Sequence, residues 1–463
     1  MPATLLETPE AVVCSSLSAR FAAVRAQTEH LCDPLATEDY VVQAMEDVSP
    51  TKWHLAHTTW FWETFVLAEY AEGYELHDAR YPFLFNSYYV QAGERHCRAQ
   101  RGYLSRPTVQ EVFAYRHAVT EAMQDFLAGF DERQRPDVAD VIEIGLHHEQ
   151  QHQELMLTDL KYVFSVNPLR PVYRSRPPEE SADPGPLAWV EQAPGVTPIG
   201  FEAPEAETTR ERFHFDNEAP RHRVYLEPFA LADRLVTAGE MMYFVEDGGY
   251  ARPEFWLSEG WATAQEEGWT CPFYWEPPGV NSGTWEHFTL AGMRPIDPHE
   301  PVTHVSFYEA DAFARWADLS GFASGARLAS EAEWEAASRT VWNGTTADGT
   351  APGSYVDRGR LHPAPAPEAG WVAGGDGAPA APALRQMFGE VWQWTESAYR
   401  PFPGYRAAPG ALGEYNGKFM SNKMVLRGGS VATPQSHIRP TYRNFFPLDA
   451  TWQFTGIRLA KSL

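Results

Sequence analysis

The sequence predicts an α+β protein with an N-terminal four-helix bundle and a C-terminal half of short strands and a few helices. Over roughly the first 165 residues, apolar side chains recur at three- and four-residue spacing, which is typical of helices. Residues 167–194 are rich in Pro, Arg, Glu and Ser and predict a linker. Beyond them the helical periodicity fades while Gly, Pro and Trp rise. We therefore expect a bundle over 1–166, a linker over 167–194 and a second domain over 195–463.

Four segments account for the predicted bundle. The first runs from about Pro9 to Leu31, and the second follows Ser49 and Pro50, where proline suits the first helical turn. The third starts near Thr108, and the fourth covers about 136–163. One long connection, residues 71–107, separates the second helix from the third. Helices of comparable length arranged in this way can enclose a site in the bundle interior.

The C-terminal half contains strand-like pieces between turn signals. The clearest are His222–Leu226 and Met424–Arg427. Two segments there keep helical periodicity, from Tyr308 to about Leu319 and from Glu331 to Ser338. Together these elements predict a mixed second domain.

Composition limits the classes of partner. The 463 residues carry 37 Lys and Arg against 62 Asp and Glu, a formal charge of −25, which argues against nucleic acid or an anionic membrane as the main partner. No stretch approaches the roughly 18 apolar residues of a membrane span. The first residues do not resemble a secretory signal, and the four cysteines are scattered without CxxC spacing. We expect a cytoplasmic protein.

The fourth helix carries a pattern suited to metal binding. His148 and His152 are four residues apart, so a helix presents both from one face to a single ion. Across an antiparallel bundle, His57 on the second helix can supply a third imidazole. Three neutral nitrogens leave coordination positions open for substrates.

The same residues admit other readings. His148 to His152 spells HEQQH, the zincin pattern, in which Glu149 would be the general base of a zinc hydrolase. Histidines on a polar helix face can also be merely solvated, and His57 in an aromatic stripe can be a core residue. The familiar iron site for oxygen activation has two histidines and one carboxylate. The residues alone do not decide whether the metal is zinc or iron.

Several blocks together resemble the non-haem iron sulfoxide synthases of ergothioneine biosynthesis. They are WHLAH, HHEQQHQE, FNSYYVQAGERHCRAQRGYLSRP at 85–107, RLASEAEW, GEVWQWT and the run LRGGSVATPQSHIRPTYRNFFPLDATWQFTGIRLA at 426–460. The resemblance spans nearly the whole chain, with the blocks in order. It implies a DinB-like four-helix bundle fused to a C-type-lectin-like domain that resembles the formylglycine-generating enzyme.

The resemblance also implies a reaction and a cofactor. Members of this family hold iron(II) on three histidines, which correspond here to His57, His148 and His152. They use dioxygen to join a thiol to C2 of the imidazole of hercynine, the betaine of histidine, as a sulfoxide. Gln151 matches a position that hydrogen-bonds the imidazole of hercynine, although a solvent-facing amide is the alternative.

Two further groups in the 85–107 block gain roles from the resemblance. Tyr88 and Tyr89 resemble a tyrosine pair near iron, where a phenol delivers a proton or electron and turns the reaction away from thiol dioxygenation. Outside this family, such a pair would be half-buried core aromatics. Arg98 and Arg101 are candidates to grip the carboxylate of the sulfur donor, since a guanidinium binds carboxylate bidentately.

The C-terminal run implies the rest of the substrate pocket. Asn444 would hydrogen-bond the betaine carboxylate, and Phe445 or Phe446 would pack beside it. Members that take γ-glutamylcysteine have tryptophan and aspartate after this asparagine, so the two phenylalanines, with the tyrosine pair, point to the branch that uses free cysteine. A related branch makes selenoneine from a selenosugar, and the motifs do not exclude it.

Two non-synthase readings of the C-terminal half also follow from its likeness to other proteins. Formylglycine generation relies on a pair of late cysteines, and this half contains only Cys271. Alternatively, the half is a binding module and the bundle is its scaffold. In that case the three histidines would be dispensable.

Overall fold

The computed structural model describes most of the chain, and it begins within the first predicted helix. The described residues are 16–177, 181–202, 213–279, 283–342, 353–368, 370–372, 381–407 and 410–463. The predicted start of the first helix, near Pro9, lies outside them. The observed helix α1, Leu17–His30, begins at the first described residues, where Ser16 caps it by accepting a hydrogen bond from the backbone N–H of Ala19.

The N-terminal half is a bundle of four main helices, as predicted. These are α1 and three others: α2 at Thr51–Trp62, α5 at Val109–Ala128 and α6 at Pro136–Val166. A π-helical turn, Glu63–Leu67, joins α2 to the short α3, Ala68–Tyr70, and α4 covers Tyr81–Phe85 in the long connection. Local sequence signals mark where two of these helices begin. Thr108 and Glu111 form a capping box at the N-terminus of α5, and α6 begins at a proline.

Helix α2 is buried on every side. All twelve of its residues, from Thr51 to Trp62, are buried. It packs against α5 and α6 and is covered by α4 from the long connection. Its polar side chains, among them Lys52 and His54, tolerate burial because they are hydrogen-bonded within the protein. This position brings the histidines of α2 to the face of α6.

The C-terminal half consists of small sheets. The strands are β1 Trp189–Gln192, β2 Gly195–Ile199, β3 His222–Leu226, β4 Phe229–Ala232, β5 Trp275–Glu276, β6 Glu286–Thr289, β7 Gly292–Pro295, β8 Ala326–Leu328, β9 Trp371–Val372, β10 Ala381–Pro382, β11 Trp392–Ala398, β12 Met424–Arg427, β13 Asn444–Phe446, β14 Thr455–Gly456 and β15 Leu459–Ser462. The largest sheets have the strand orders β1-β4-β15-β8 and β13-β12-β11-β14, followed by β5-β6-β7, β2-β3 and β9-β10. All pairings are antiparallel except that of β11 with β14.

In the part of this half that the structure describes, four α-helices accompany these sheets. Helices α9, Phe307–Leu319, and α10, Glu331–Trp342, match the predicted segments, whereas α7, Ala238–Glu246, and α8, Ser258–Glu266, are too short for their periodicity to stand out. Strand β1 lies within residues 167–194, the predicted linker, and it is ordered there by pairing with β4. Among the described residues, no helix combines the length and apolar character of a membrane span.

Helix α6 joins the two halves. Its half-buried Glu154 accepts hydrogen bonds from the indole N–H of Trp392 at 2.7 Å and from the hydroxyls of Ser430 at 2.6 Å and Thr433 at 2.7 Å. Gln150 donates to Ser436 across the same boundary. The C-terminal half is therefore fixed to the helix that carries His148 and His152.

Candidate metal centre

Three histidines converge in the interior of the bundle. His57 comes from α2, and His148 and His152 come from successive turns of α6. One nitrogen of each ring can be chosen so that the three lie within 4.8 Å of one another. Nε2 of His57 lies 3.1 Å from Nε2 of His148. Two nitrogens bound at a right angle to one ion at about 2.1 Å would be about 3.0 Å apart, so this pair already has the spacing of shared ligands.

The outer nitrogens of two of these rings are held by the protein. Nδ1 of His57 donates to the carbonyl oxygen of Phe85 at 2.6 Å, so Nε2 carries no proton and its lone pair is available to the cluster. Nδ1 of His152 lies 2.9 Å from Nδ1 of His54, whose Nε2 donates to Asp159 at 3.0 Å. Each ring carries one proton. Because His54 uses its proton on Nε2, its Nδ1 accepts a hydrogen bond from Nδ1–H of His152, and the lone pair on Nε2 of His152 stays free. Such outer partners orient metal-binding imidazoles.

The surroundings keep the three imidazoles neutral. Burial lowers the pKa of His57 and of His152 well below the ordinary value, and it lowers the pKa of His148 to about 3. The indoles of Trp53 and Trp60 stack on the two faces of the His57 ring, at 4.5 and 5.4 Å between centroids. Neutral, oriented imidazoles are the form that binds a metal ion, so the residues present fit a dication.

Glu149 does not face this centre. Its carboxylate is fully buried and accepts four hydrogen bonds, with donors and distances as follows: Thr28 Oγ1 at 2.7 Å, Arg116 Nη2 at 2.7 Å, Arg25 Nη1 at 3.1 Å and Trp62 Nε1 at 2.8 Å. Burial alone would raise the pKa of Glu149, but the two guanidinium groups hold it well below the ordinary value. A carboxylate saturated with donors cannot take a proton from water, so the hydrolase reading of HEQQH lacks its general base.

Gln151 lies beside the cluster and is oriented by two tyrosines. Its Nε2 donates to the hydroxyl of Tyr442 at 2.6 Å, and its Oε1 accepts from the hydroxyl of Tyr415. The Tyr415 ring lies 6.0 Å from the ring of His148. Gln151 is thus a positioned amide between the two halves, not a solvated one.

The tyrosine pair lies on the α2 side of the cluster. Tyr89 is fully buried and packs against Trp60, which stacks on His57. Its hydroxyl is buried and interacts with the phenol of Tyr88. Tyr88 stacks on Tyr89 at 4.6 Å and is partly exposed. Burial raises the pKa of both phenols, so both keep their protons at neutral pH.

The two arginines of the 85–107 block differ in position. Arg101 is buried, and its guanidinium carbon lies 3.3 Å from the ring centre of Trp53, the residue that stacks on His57. Burial and the nearby Arg98 lower the pKa of Arg101 to about 9, which keeps it charged at neutral pH. The Arg98 side chain is 55% exposed and lies against Asp47. The structure therefore brings Arg101 near the histidines and leaves Arg98 at the surface.

Asn444, Phe445 and Phe446 form strand β13, at a greater remove from the histidines. Phe445 stacks on Tyr399 at 4.0 Å and lies 5.9 Å from Phe419, which in turn lies 5.1 Å from Tyr88. The Oδ1 atom of Asn444 accepts from the backbone N–H of Phe445, and Phe446 packs at the edge of the core. Aromatic rings thus connect β13 to the tyrosine pair.

Four hydrogen-bonding groups at this centre were not among the residues predicted from the sequence. They are the carbonyl of Phe85 and the side chains of Asp159, Tyr415 and Tyr442. Asp159 is seven residues, two helical turns, beyond His152, and that spacing is a usable signal for a partner on the same face. Tyr415 lies in a segment without periodicity, and nothing in the sequence singles it out.

Comparison with known proteins adds two family models. Residues 195–463 match the model of the sulfatase-modifying factor enzyme 1-like domain, and residues 20–156 match the DinB superfamily. The order of the two agrees with the fusion that the sequence motifs implied.

Individual relatives match over most of the chain. A hercynine oxygenase of Mycolicibacterium thermoresistibile is 31% identical over 430 residues, which cover 89% of this chain and 87% of that protein. A hercynine oxygenase of Mycobacterium tuberculosis is 32% identical over 376 residues, covering 79% and 81%. A formylglycine-generating enzyme of Streptomyces coelicolor is 27% identical over 286 residues, covering 56% of this chain and 86% of that enzyme.

Proposed function

Because the chain belongs to the hercynine oxygenase family, we propose that it uses iron(II) and dioxygen to join a thiol to C2 of the imidazole of hercynine. One thiol, one hercynine and one dioxygen would give one sulfoxide and one water, with the S–H and C2–H hydrogens leaving in the water. The observation that carries this proposal is the convergence of neutral nitrogens from His57, His148 and His152. Bound there, iron would supply the redox chemistry and open positions for thiol and dioxygen.

The protein's own contribution to hercynine binding centres on Gln151. Its amide is fixed by Tyr415 and Tyr442, which leaves one N–H and one oxygen lone pair for an imidazole ring. A fixed amide selects one orientation of the substrate ring, so C2 would face the metal. We further propose that Asn444, with Phe445 or Phe446, receives the betaine end.

The thiol donor would be recognised by Arg101. A buried guanidinium beside Trp53 is a desolvated cation, and its Nε has no hydrogen-bond partner among the described residues. Such a group attracts the carboxylate of an amino-acid thiol. We propose L-cysteine as the donor, because phenylalanines occupy 445 and 446. A selenosugar, which would make the chain a selenoneine synthase, is the second candidate.

Removal of Arg101 should weaken binding of the donor selectively. In Arg101→Ala we expect the KM for cysteine to rise by 10-fold or more, roughly the loss of one charge-assisted hydrogen bond, while the KM for hercynine changes little. Steady-state kinetics with each substrate varied in turn checks this. Arg98→Ala is the matched control, and its exposed side chain should leave both constants near wild type. An equal rise for both substrates in Arg101→Ala would contradict the assignment.

The phenols are expected to control the product. Tyr89 is fully buried beside Trp60, which stacks on His57, and it keeps its proton at neutral pH, so we propose Tyr89 as the donor of that proton to the reacting oxygen. Tyr89→Phe should divert most turnovers to cysteine sulfinate, with a smaller change in Tyr88→Phe. Quantitative mass spectrometry of sulfinate against sulfoxide measures the ratio. A wild-type ratio in both variants would remove the tyrosines from the mechanism.

The reaction itself is tested with the iron-loaded protein. Aerobic incubation with hercynine and cysteine should give a conjugate with the mass of hercynylcysteine sulfoxide, and γ-glutamylcysteine should react poorly. A product only with the selenosugar would establish the second candidate. Peptide cleavage without oxygen uptake would instead favour the zinc hydrolase. A free-thiol substrate and three unpaired described cysteines, Cys32, Cys97 and Cys271, suit the reducing cytoplasm that we propose.

A further inference from the structure

A second cluster of metal-binding side chains lies buried in the C-terminal half. His287 is on β6, whereas Glu300 and His362 lie in loops. The three residues are 5%, 6% and 4% exposed, and one ligand atom of each lies within 4.8 Å of the others. The three residues are far apart in sequence, so the fold alone brings them together.

The carboxylate of Glu300 lies close to both imidazoles, and only one of the two contacts is a good hydrogen bond. Nε2 of His362 lies 2.8 Å from Oε2 of Glu300, and Nε2 of His287 lies 3.5 Å from Oε1 of the same carboxylate. The second distance is too long for a good hydrogen bond. Ligands about 2.1 Å from one ion are about 3.0 Å apart at right angles and about 3.4 Å apart in a tetrahedron. Both observed separations fall near this range.

One buried nitrogen in this cluster is also unaccounted for. Nδ1 of His362 is shielded from solvent and has no hydrogen-bond partner among the described residues. Buried polar atoms are nearly always paired, but an ion bound at Nε2 cannot also bind Nδ1 of the same ring, so this nitrogen needs a separate partner such as a buried water. The rings of His287 and His362 and the carboxylate of Glu300 are all shielded from solvent.

Nearby positive charge restricts which ion the cluster would accept. Lys161 and Arg176 both interact electrostatically with His362 and Glu300. Burial lowers the pKa of Lys161, which contacts Nε2 of His304 at 2.7 Å, to about 7, so it carries a partial charge at neutral pH. Attraction by charge is therefore weak, and affinity has to come from imidazole coordination. First-row transition metals accept imidazole, whereas Ca²⁺ and Mg²⁺ prefer oxygen.

We propose that His287, Glu300 and His362 bind a second divalent transition-metal ion, such as Zn²⁺, that ties the loops around residues 300 and 362 to strand β6. The role is structural, because the three ligands are buried. The proposal does not rest on the function of the first cluster. Together with one ion at the three-histidine cluster of the bundle, this site predicts two ions per wild-type chain after loading with Zn²⁺.

The test is metal stoichiometry in tag-free, full-length protein, measured by mass spectrometry of the metal after Zn²⁺ loading and desalting. We expect two equivalents in wild type, one in His148→Ala/His152→Ala, and one in Glu300→Gln, which keeps a hydrogen-bonding side chain but loses the anionic ligand. Addition of Ca²⁺ in tenfold excess should displace neither.

A conservative second variant covers the case in which Glu300→Gln fails to fold. His362→Gln should also hold one equivalent, and circular dichroism checks the fold of each variant. The protein without the first site should melt at a higher temperature with Zn²⁺ than without it, and this shift should vanish when Glu300→Gln is added. One equivalent in wild type, with none in His148→Ala/His152→Ala, would overturn the proposal and leave a hydrogen-bonded cluster.

Discussion

Replacement of His152 by alanine is expected to remove one metal equivalent per chain and to reduce product formation to background. Two imidazoles on different helices, His57 and His148, would remain, and two ligands hold a dication far more weakly than three. The chain of hydrogen bonds that runs through His54 to Asp159 would also lose its first donor, the Nδ1–H of His152. Metal content per chain and sulfoxide yield, both measured after iron loading under anaerobic conditions, check this expectation.

The control for this variant is another histidine of the bundle. His117 on α5 is 60% exposed and lies 3.8 Å from Glu29 at the surface. His117→Ala should keep wild-type metal content and activity. Full metal content in His152→Ala would show that the three-histidine cluster is not the site, and full activity would favour the binding-module interpretation of the histidines.

The second large effect is expected on stability. Glu149→Gln removes the negative charge that compensates Arg25 and Arg116 in the interior of the bundle. Breaking a buried ion pair by removing one partner costs about 3–5 kcal/mol, since the other charge stays buried. We expect the free energy of unfolding of the bundle to fall by this amount, measured by denaturant unfolding followed by circular dichroism.

A matched variant separates this effect from simple loss of an ion pair. Glu29 also pairs with Arg116 but is 36% exposed, and Glu29→Gln should cost less than about 1 kcal/mol. If Glu149→Gln instead had wild-type stability and lost only activity, Glu149 would behave as a catalytic base, and the zinc hydrolase would return as the better interpretation.

Helical periodicity explains why much of the bundle could be predicted. The i, i+4 spacing of His148 and His152 places both on one face whatever the details of packing. The aromatic stripe around His57 indicates a buried helix, and the structure has α2 buried throughout. What periodicity cannot show is the direction in which Glu149 points, because that depends on Arg25 and Arg116 from two other helices.

The second half was less predictable for physical reasons. Its strands are two to seven residues long, so alternation has little room to appear. The partners of Gln151 come from irregular segments around Tyr415 and Tyr442, where no pattern marks a site. Likewise, Arg98 and Arg101 are only three residues apart, but Arg101 is buried on the ring of Trp53 and Arg98 is exposed beside Asp47, a difference that the sequence pattern does not show.

The most direct test of the account is crystallographic. Anomalous diffraction at the iron absorption edge, from crystals of the iron-loaded protein, should show a peak within about 2.2 Å of Nε2 of His57, His148 and His152 together. Iron density elsewhere in a fully loaded crystal, with those three nitrogens empty or turned apart, would contradict the proposed centre and the reaction that depends on it.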